Sequence, residues 1–293
     1  MITRVHGLFA AITGIGIAWL LLLASAAGQS SSAPATFARL SDGQPDVQGF
    51  WVAQYPGAYS LNNPRKGGTR LKEKLLEQQG KKPPTYPSRV VDPPDGTIPY
   101  LPWALAKKQD IEAHVDAPTK QEYIDPQMRC LPGGPVRAMF WTGYQVLQYP
   151  GYVLFLYEQA HDFRIIPLDP HPHIGESMKL WMGDSRGHWE GNTLVVDVTN
   201  NNSKGRLDTE GNFAGEKLHV AERFIFRDQK TMDYEAIVED PSVYSKPWKI
   251  ASRMVREHQR EPNFELWEDA CHEGERNADG SLLTDVPKPD SAK

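Results

Sequence analysis

The chain has 293 residues, is 40% hydrophobic and 24% charged, and carries a formal net charge of −5. That balance argues against a nucleic-acid binder and against adsorption to acidic lipid, both of which need clustered positive charge. It suits a soluble protein whose partner is a small molecule or a carbohydrate.

Residues 1–28 read as an export signal. Arg4 gives a positive start, "GLFAAITGIGIAWLLLLASAAG" carries no charge, and Ala24-Ser25-Ala26 is a small-residue cleavage site. The expected location is periplasmic or extracellular, with no membrane contact after cleavage. Uncut, the apolar run is long enough to act as an anchor. Residues 29–44, beginning "QSSSAPATFA", read as a flexible linker. Export places Cys130 and Cys271, the two cysteines of the chain, in an oxidising compartment, and a disulfide between them is expected. It would close a loop of roughly 140 residues, worth about 4–5 kcal/mol in chain entropy.

Residues 45–143 read as a first strand, "DVQGFWVAQ", followed by a long wrapping arm. Fourteen of the 24 prolines fall between Pro45 and Pro135, and proline removes the donors a central sheet needs. Two short helices are predicted in the arm. "TRLKEKLLEQQG" has Thr69 as its cap and Gly80 as its stop, and "PWALAKKQDIEAHV" starts with Pro102 in the first turn. Between them, "VVDPPDGTIPYLP" reads as turns and polyproline-like chain.

From residue 144 to 275, short runs of β-branched and aromatic residues alternate with turn signals. "YQVLQY", "YVLFLYE", "FRIIPL", "TLVVDVT", "KLHVAERFIF", "TMDYEAIVE", "PWKIASRMV" and "FELWED" are the predicted strands. "YVLFLYE" is apolar on both faces and is expected to be covered. Short connections predict a mainly β fold, an antiparallel meander closing into a calycin-like barrel, since closure removes exposed edges. Trp141, Trp181, Trp189, Trp248 and Trp267 are expected as core and end-plugs. Residues 276–293 read as a disordered tail.

Gly49-Phe50-Trp51 resembles the G-x-W of the lipocalin first strand, where the tryptophan plugs one end of an eight-stranded barrel; an arm of this length after that strand departs from the lipocalin pattern. More widely, "PDVQGFW", "GYVLFLYEQAHDFRIIPLD", "GDSRGHWEGNTLVVDVTN", "VEDPSVYSKPW" and "ACHEGE" resemble a family of exported bacterial proteins of unassigned function. That resemblance implies a shared architecture and carries no reaction.

Four groups of residues invite a chemical reading. "GDSRG" (Gly183–Gly187) matches the G-x-S-x-G of serine hydrolases. A nucleophile elbow needs a helix after the serine, whereas "HWEGNTLVVDV" reads as chain turning at Gly191-Asn192 into a strand. Asp184 and Ser185 are therefore expected to hold a turn. The alternative is a Ser185 nucleophile with His188 or His161 as base and Asp184 or Asp162 orienting it. His171-Pro172-His173 places two imidazoles on one side of an extended segment. With Glu158, His161, Glu176 or Asp184 they would make a zinc site, but no recognised zinc spacing is present. No metal is expected, and the segment reads as a stiff corner.

"YEQAHDFRI" clusters Glu158, His161, Asp162 and Arg164 between two apolar strands. In "KLHVAERFIF" the face Leu218, Val220, Glu222, Phe224, Phe226 carries a carboxylate inside an apolar stripe, as does Phe264, Leu266, Glu268 in "FELWED". Inward Glu222 and Glu268, with Arg164, Glu158 and His272, would anchor a ligand in a barrel cavity, or else form structural ion pairs. The expected function is an exported β-barrel that binds a small, largely apolar molecule. One alternative is an isomerase, hydratase or hydrolase on the same cavity, with Glu222, His161 or Glu268 as acid–base. The other is an envelope-associated partner protein that makes contacts through its arm. G-x-G-x-x-G, P-loop and C-x-x-C-H motifs are absent, so no cofactor is expected.

Overall fold

A computed structural model of the chain describes residues 37–57, 60–62, 76–82, 86–115, 117–257 and 263–267. The signal segment, most of the first predicted helix, Glu268, Cys271, His272 and the tail lie outside the described residues, and the disulfide stays an expectation.

The strands are β1 (Gly49–Ala53), β2 (Val90–Asp92), β3 (Tyr144–Tyr149), β4 (Tyr152–Tyr157), β5 (Phe163–Pro167), β6 (Asp184–Glu190), β7 (Thr193–Thr199), β8 (His219–Phe226), β9 (Thr231–Glu239) and β10 (Trp248–Arg256). The helices include α1 (Pro102–His114) and the single turn α2 (Pro135–Ala138), with 3-10 turns at Gln121–Tyr123 and Pro126–Arg129; residues 76–78, the described end of the first predicted helix, are helical too. Among the described residues, no helix is long and apolar enough to cross a membrane.

Nine strands run in the order β5-β4-β3-β1-β10-β9-β8-β7-β6, every pair antiparallel. The two ends of that path, β5 and β6, come side by side without a backbone ladder, so the barrel is nearly closed. Period-2 alternation fixes which residues fill it. On β8 these are Val220, Glu222, Phe224 and Phe226; on β9 they are Met232, Tyr234, Ala236 and Val238. Both stripes are the ones the sequence predicts. Trp51 is buried at one end of the core, donating Nε1–H to the Val47 carbonyl (3.0 Å) under the Arg256 guanidinium.

Four local expectations are corrected. "VVD" of the arm is not a turn but strand β2, antiparallel to β10; its ladder ends before Pro93, so no donor is lost. The described part of "FELWED" is not a strand. Both edges of β1 are already taken by β3 and β10, and Phe264 instead packs edge-on against Phe50, ring centroids 5.4 Å apart. The outer face of "YVLFLYE" is only partly covered: Leu154 and Leu156 are half-buried, Tyr152 is exposed, and so are Phe163 and Ile165 on the neighbouring β5. Trp267 is 72% exposed and plugs nothing. Conversely, the end of the expected linker belongs to the folded part, because Phe37 is buried in the core.

Candidate functional site

Arg164 on β5 and Glu222 on β8 point into the barrel and meet. They are 2% and 0% exposed. Arg164 Nη1 donates to Glu222 Oε1 (3.1 Å) and Nη2 donates to Oε2, while Nε donates to Ser185 Oγ on β6 (2.8 Å). The Tyr234 hydroxyl on β9 donates to Glu222 Oε1 (2.7 Å). Burial alone would lower the Arg164 pKa, but Glu222 more than offsets it and holds the guanidinium above its ordinary value. Burial, then Glu222, pushes the Tyr234 phenol well up. All three guanidinium nitrogens and both carboxylate oxygens are used. The pair is closed off from solvent.

Among the described residues, the other predicted candidates do not join it. Glu158 closes the end of the β3–β4 hairpin by accepting from the Gly143 amide (2.9 Å) and the Trp267 amide (3.3 Å). His161 is exposed in the β4–β5 turn with φ +49°. Asp162 is pushed by burial to about 6 against its bond from the Phe163 amide. Glu268 and His272 lie outside the described residues.

"GDSRG" is not a turn. From Asp184 on, it is strand β6, hydrogen-bonded to β7, and the predicted turn at Gly191-Asn192 follows it. Its glycines serve packing. Gly183 has φ +68°, and a Cβ on Gly187 would lie 2.6 Å from Ile166 Cγ2 across the β5–β6 seam. Ser185 Oγ faces Arg164, not a histidine.

The two histidines of the stiff corner part company. Exposed His171 pairs with Asp169 (2.9 Å). His173 lies between Asp184 (Nδ1 to Oδ2, 2.7 Å) and Asp197 (Nε2 to Oδ2, 2.7 Å). Asp197 Oδ1 in turn meets His219 Nε2 (2.6 Å), whose Nδ1 approaches Glu239 (3.4 Å). This carboxylate–imidazole chain runs across the outside of β6–β9 and ties the corner to the sheet. No group of three or more His, Cys, Asp or Glu side chains placed to hold a metal occurs among the described residues.

One opening in the molecule lies where β10 changes neighbours. Its far end pairs with β1 (Trp51 with Arg256, Ala53 with Met254), and its near end with β2 (Val90 with Ile250). The chain leaves β10 after the Gln54 amide donates to the Arg253 carbonyl (2.8 Å), and the arm rejoins where the Ala251 amide donates to the Arg89 carbonyl (2.8 Å). Between these bonds Ser252 has β9 on one side and, among the described residues, no strand on the other. The resulting cleft of about 370 Å³ has Ser252 and its register partner Tyr234 among its lining residues. It therefore abuts Tyr234, the buried residue whose hydroxyl bonds Glu222.

Tyr55 and Tyr86 stand together at this cleft, centroids 5.3 Å apart and tilted by 47°. Arg89 braces the wall. Its Nη2 donates to the Tyr55 carbonyl (2.6 Å), and its guanidinium lies over the Phe140 ring at 4.7 Å. Burial lowers its pKa to about 10, against the pull of Asp208. The charges alongside are spent on each other: Arg253 on Asp233 (2.9 Å) and Lys249 on Glu235 (2.7 Å). The side chains of Gln54 and Ser252 make no hydrogen bond or ion pair among the described residues. Two aromatic rings, two uncommitted polar groups and this volume match what small-molecule sites share. Sequence reasoning missed the cleft because it depends on β2; the visible signal was the β-branched pair Val90-Val91 ahead of the Pro93-Pro94 turn. No protein-family model, curated protein or solved structure matches the chain, so the functional reading rests on this geometry.

Proposed function

We propose that the protein is an exported binder of a small molecule, taken up in the cleft between β1 and β2. The ligand carries a flat apolar ring and at least one hydrogen-bonding edge. The ring lies against Tyr55 and Tyr86, and the polar edge meets Gln54 and Ser252. One observation supports this above the rest: the barrel wall is interrupted at Ser252, and the interruption is lined by aromatic rings and by Gln54 and Ser252, whose side chains make no hydrogen bond among the described residues. Arg164 and Glu222 do not touch the ligand in this reading. They hold Tyr234 in place beneath it.

The test is native mass spectrometry of the purified chain, with 2-naphthol added as a ring probe. The expected result is a bound small molecule, copurified or added, that is lost from the Ser252→Trp variant and weakened about tenfold in Tyr86→Ala. Binding of 2-naphthol unchanged in both variants, with nothing copurified, overturns the reading.

A further inference from the structure

A second cavity, of about 470 Å³, lies between α1, the 3-10 turn Gln121–Tyr123 and the loops around residues 203–206, 213–215 and 242–243. Its lining is unlike the rest of this acidic chain. Lys107, Arg129, Lys204 and Arg206 all border it, against two carboxylates, Asp110 and Glu122. Both carboxylates have partners of their own. Asp110 Oδ2 accepts from the Tyr123 hydroxyl (2.9 Å), and exposed Glu122 pairs with Lys120 (3.5 Å).

The cations are not matched in the same way. Arg206, which is buried, spends two donors on the Tyr123 and Glu122 carbonyls. The side chains of Lys107, Arg129 and Lys204 make no ion pair or hydrogen bond among the described residues; the one contact they make is that of Lys107 Nζ over the Phe213 ring at 4.6 Å. Four cations against two carboxylates leave this concavity with an excess of positive charge, which raises the local concentration of anions. The concavity also has an aromatic side. Trp103 on α1 is 52% exposed, yet its ring lies 6.1 Å from that of Phe213. An exposed tryptophan beside unpaired cations fits a ligand that is both flat and negative.

We infer that this cavity is a second binding site, separate from the cleft at Ser252, for a small aromatic carboxylate. The ring lies along Trp103 and Phe213, and the carboxylate is held by Lys107, Lys204 and Arg129. The inference does not depend on the first cleft being occupied.

The test titrates the full chain with 2-naphthoate, 2-naphthalenemethanol and inorganic phosphate separately, following tryptophan fluorescence and calorimetry. The expected order has naphthoate binding at least tenfold tighter than the neutral alcohol or phosphate, and weakening as salt rises. The surface pair Lys107→Gln with Lys204→Gln is expected to cost naphthoate about tenfold while the far-UV spectrum stays unchanged. Trp103→Phe is expected to remove the fluorescence response but retain heat of binding. Equal affinity for naphthoate and the alcohol overturns the inference, as does phosphate binding as tightly as naphthoate. So does indifference to the lysine pair. Loss of naphthoate binding in Ser252→Trp, with the lysine pair intact, also overturns it by placing the ligand in the first cleft.

Discussion

Arg164 Nη1 lies 3.1 Å from Glu222 Oε1, across the interior of the barrel from β5 to β8, with both side chains closed to solvent. A buried ion pair is costly to break from one side, because the surviving charge keeps its desolvation and loses its partner. Glu222→Ala is therefore expected to destabilise the fold by about 3–5 kcal/mol. Glu222→Gln keeps the shape and one acceptor, and should cost less. The double variant Arg164→Met with Glu222→Leu should recover much of the loss, since apolar residues of similar volume replace the pair outright. Urea unfolding midpoints of the four chains decide it. If the double variant is as unstable as Glu222→Ala, packing and not charge pairing dominates at this site.

Ser185 hangs on the same guanidinium. Ser185→Ala removes the acceptor of Arg164 Nε (2.8 Å) and leaves a buried donor unpaired, which is expected to cost about 1–3 kcal/mol. A fluorophosphonate probe should leave Ser185 unlabelled, because its oxygen is buried against Arg164 with no imidazole bonded to it. Labelling at that position would restore the hydrolase reading.

Across the seam, Gly187 has the role that a backbone bond has elsewhere in the barrel: it lets β6 approach β5. Gly187→Ala would place a methyl 2.6 Å from Ile166 Cγ2 and 3.2 Å from Leu168 Cδ2. Overpacking of that kind costs about 1–3 kcal/mol. Ile166→Ala in the same chain removes the clashing methyl, so the two changes should be non-additive in a double-mutant cycle. Strict additivity would mean the strands separate at no cost and the seam does not matter.

Most of the barrel was legible because alternation is a local signal. Glu222 inside an apolar stripe could be read directly from β8, and the inward set of β9 likewise. What could not be read was partner choice. Arg164 and Glu222 are 58 residues apart, and nothing local says that one neutralises the other. The same limit hid the cleft. Val90-Val91-Asp92 is too short to read as a strand alone, and it becomes one only because β10 extends past β1 and offers free backbone groups. "FELWED" failed in the opposite sense: its pattern suits a strand, but both edges of its neighbour β1 were already occupied.

The histidine chain on the outer face makes the fold sensitive to pH. Both nitrogens of His219 face carboxylates, Asp197 (2.6 Å) and Glu239 (3.4 Å). A neutral imidazole has a single N–H and leaves one of these contacts without a proton. Burial lowers the His219 pKa, but the Asp197 bond and charge, with Glu239, outweigh it and raise the value above 6.5. A raised folded pKa means the pair's stabilisation is full below 6.5 and is lost as pH rises through the folded value. For Asp197, burial opposes and His219 and His173 prevail, so its pKa falls below 3.8. Its contribution is present above 3.8 and is lost as pH drops through the lowered value. Other groups move the raw curve in the same region. Asp208 and Asp162, both raised to about 6 by burial, favour the fold below 3.8 and lose that advantage as pH climbs to 6. The difference between the wild-type chain and His219→Ala isolates the imidazole. That difference in urea midpoint is expected to be largest between about pH 4 and 6.5 and to shrink steadily toward pH 9. His173, held between Asp184 and Asp197, and Arg186, 3.5 Å from Asp184, remain in both chains and cancel to first order. A difference of the same size at pH 5 and pH 9 would show that His219 contributes by packing alone.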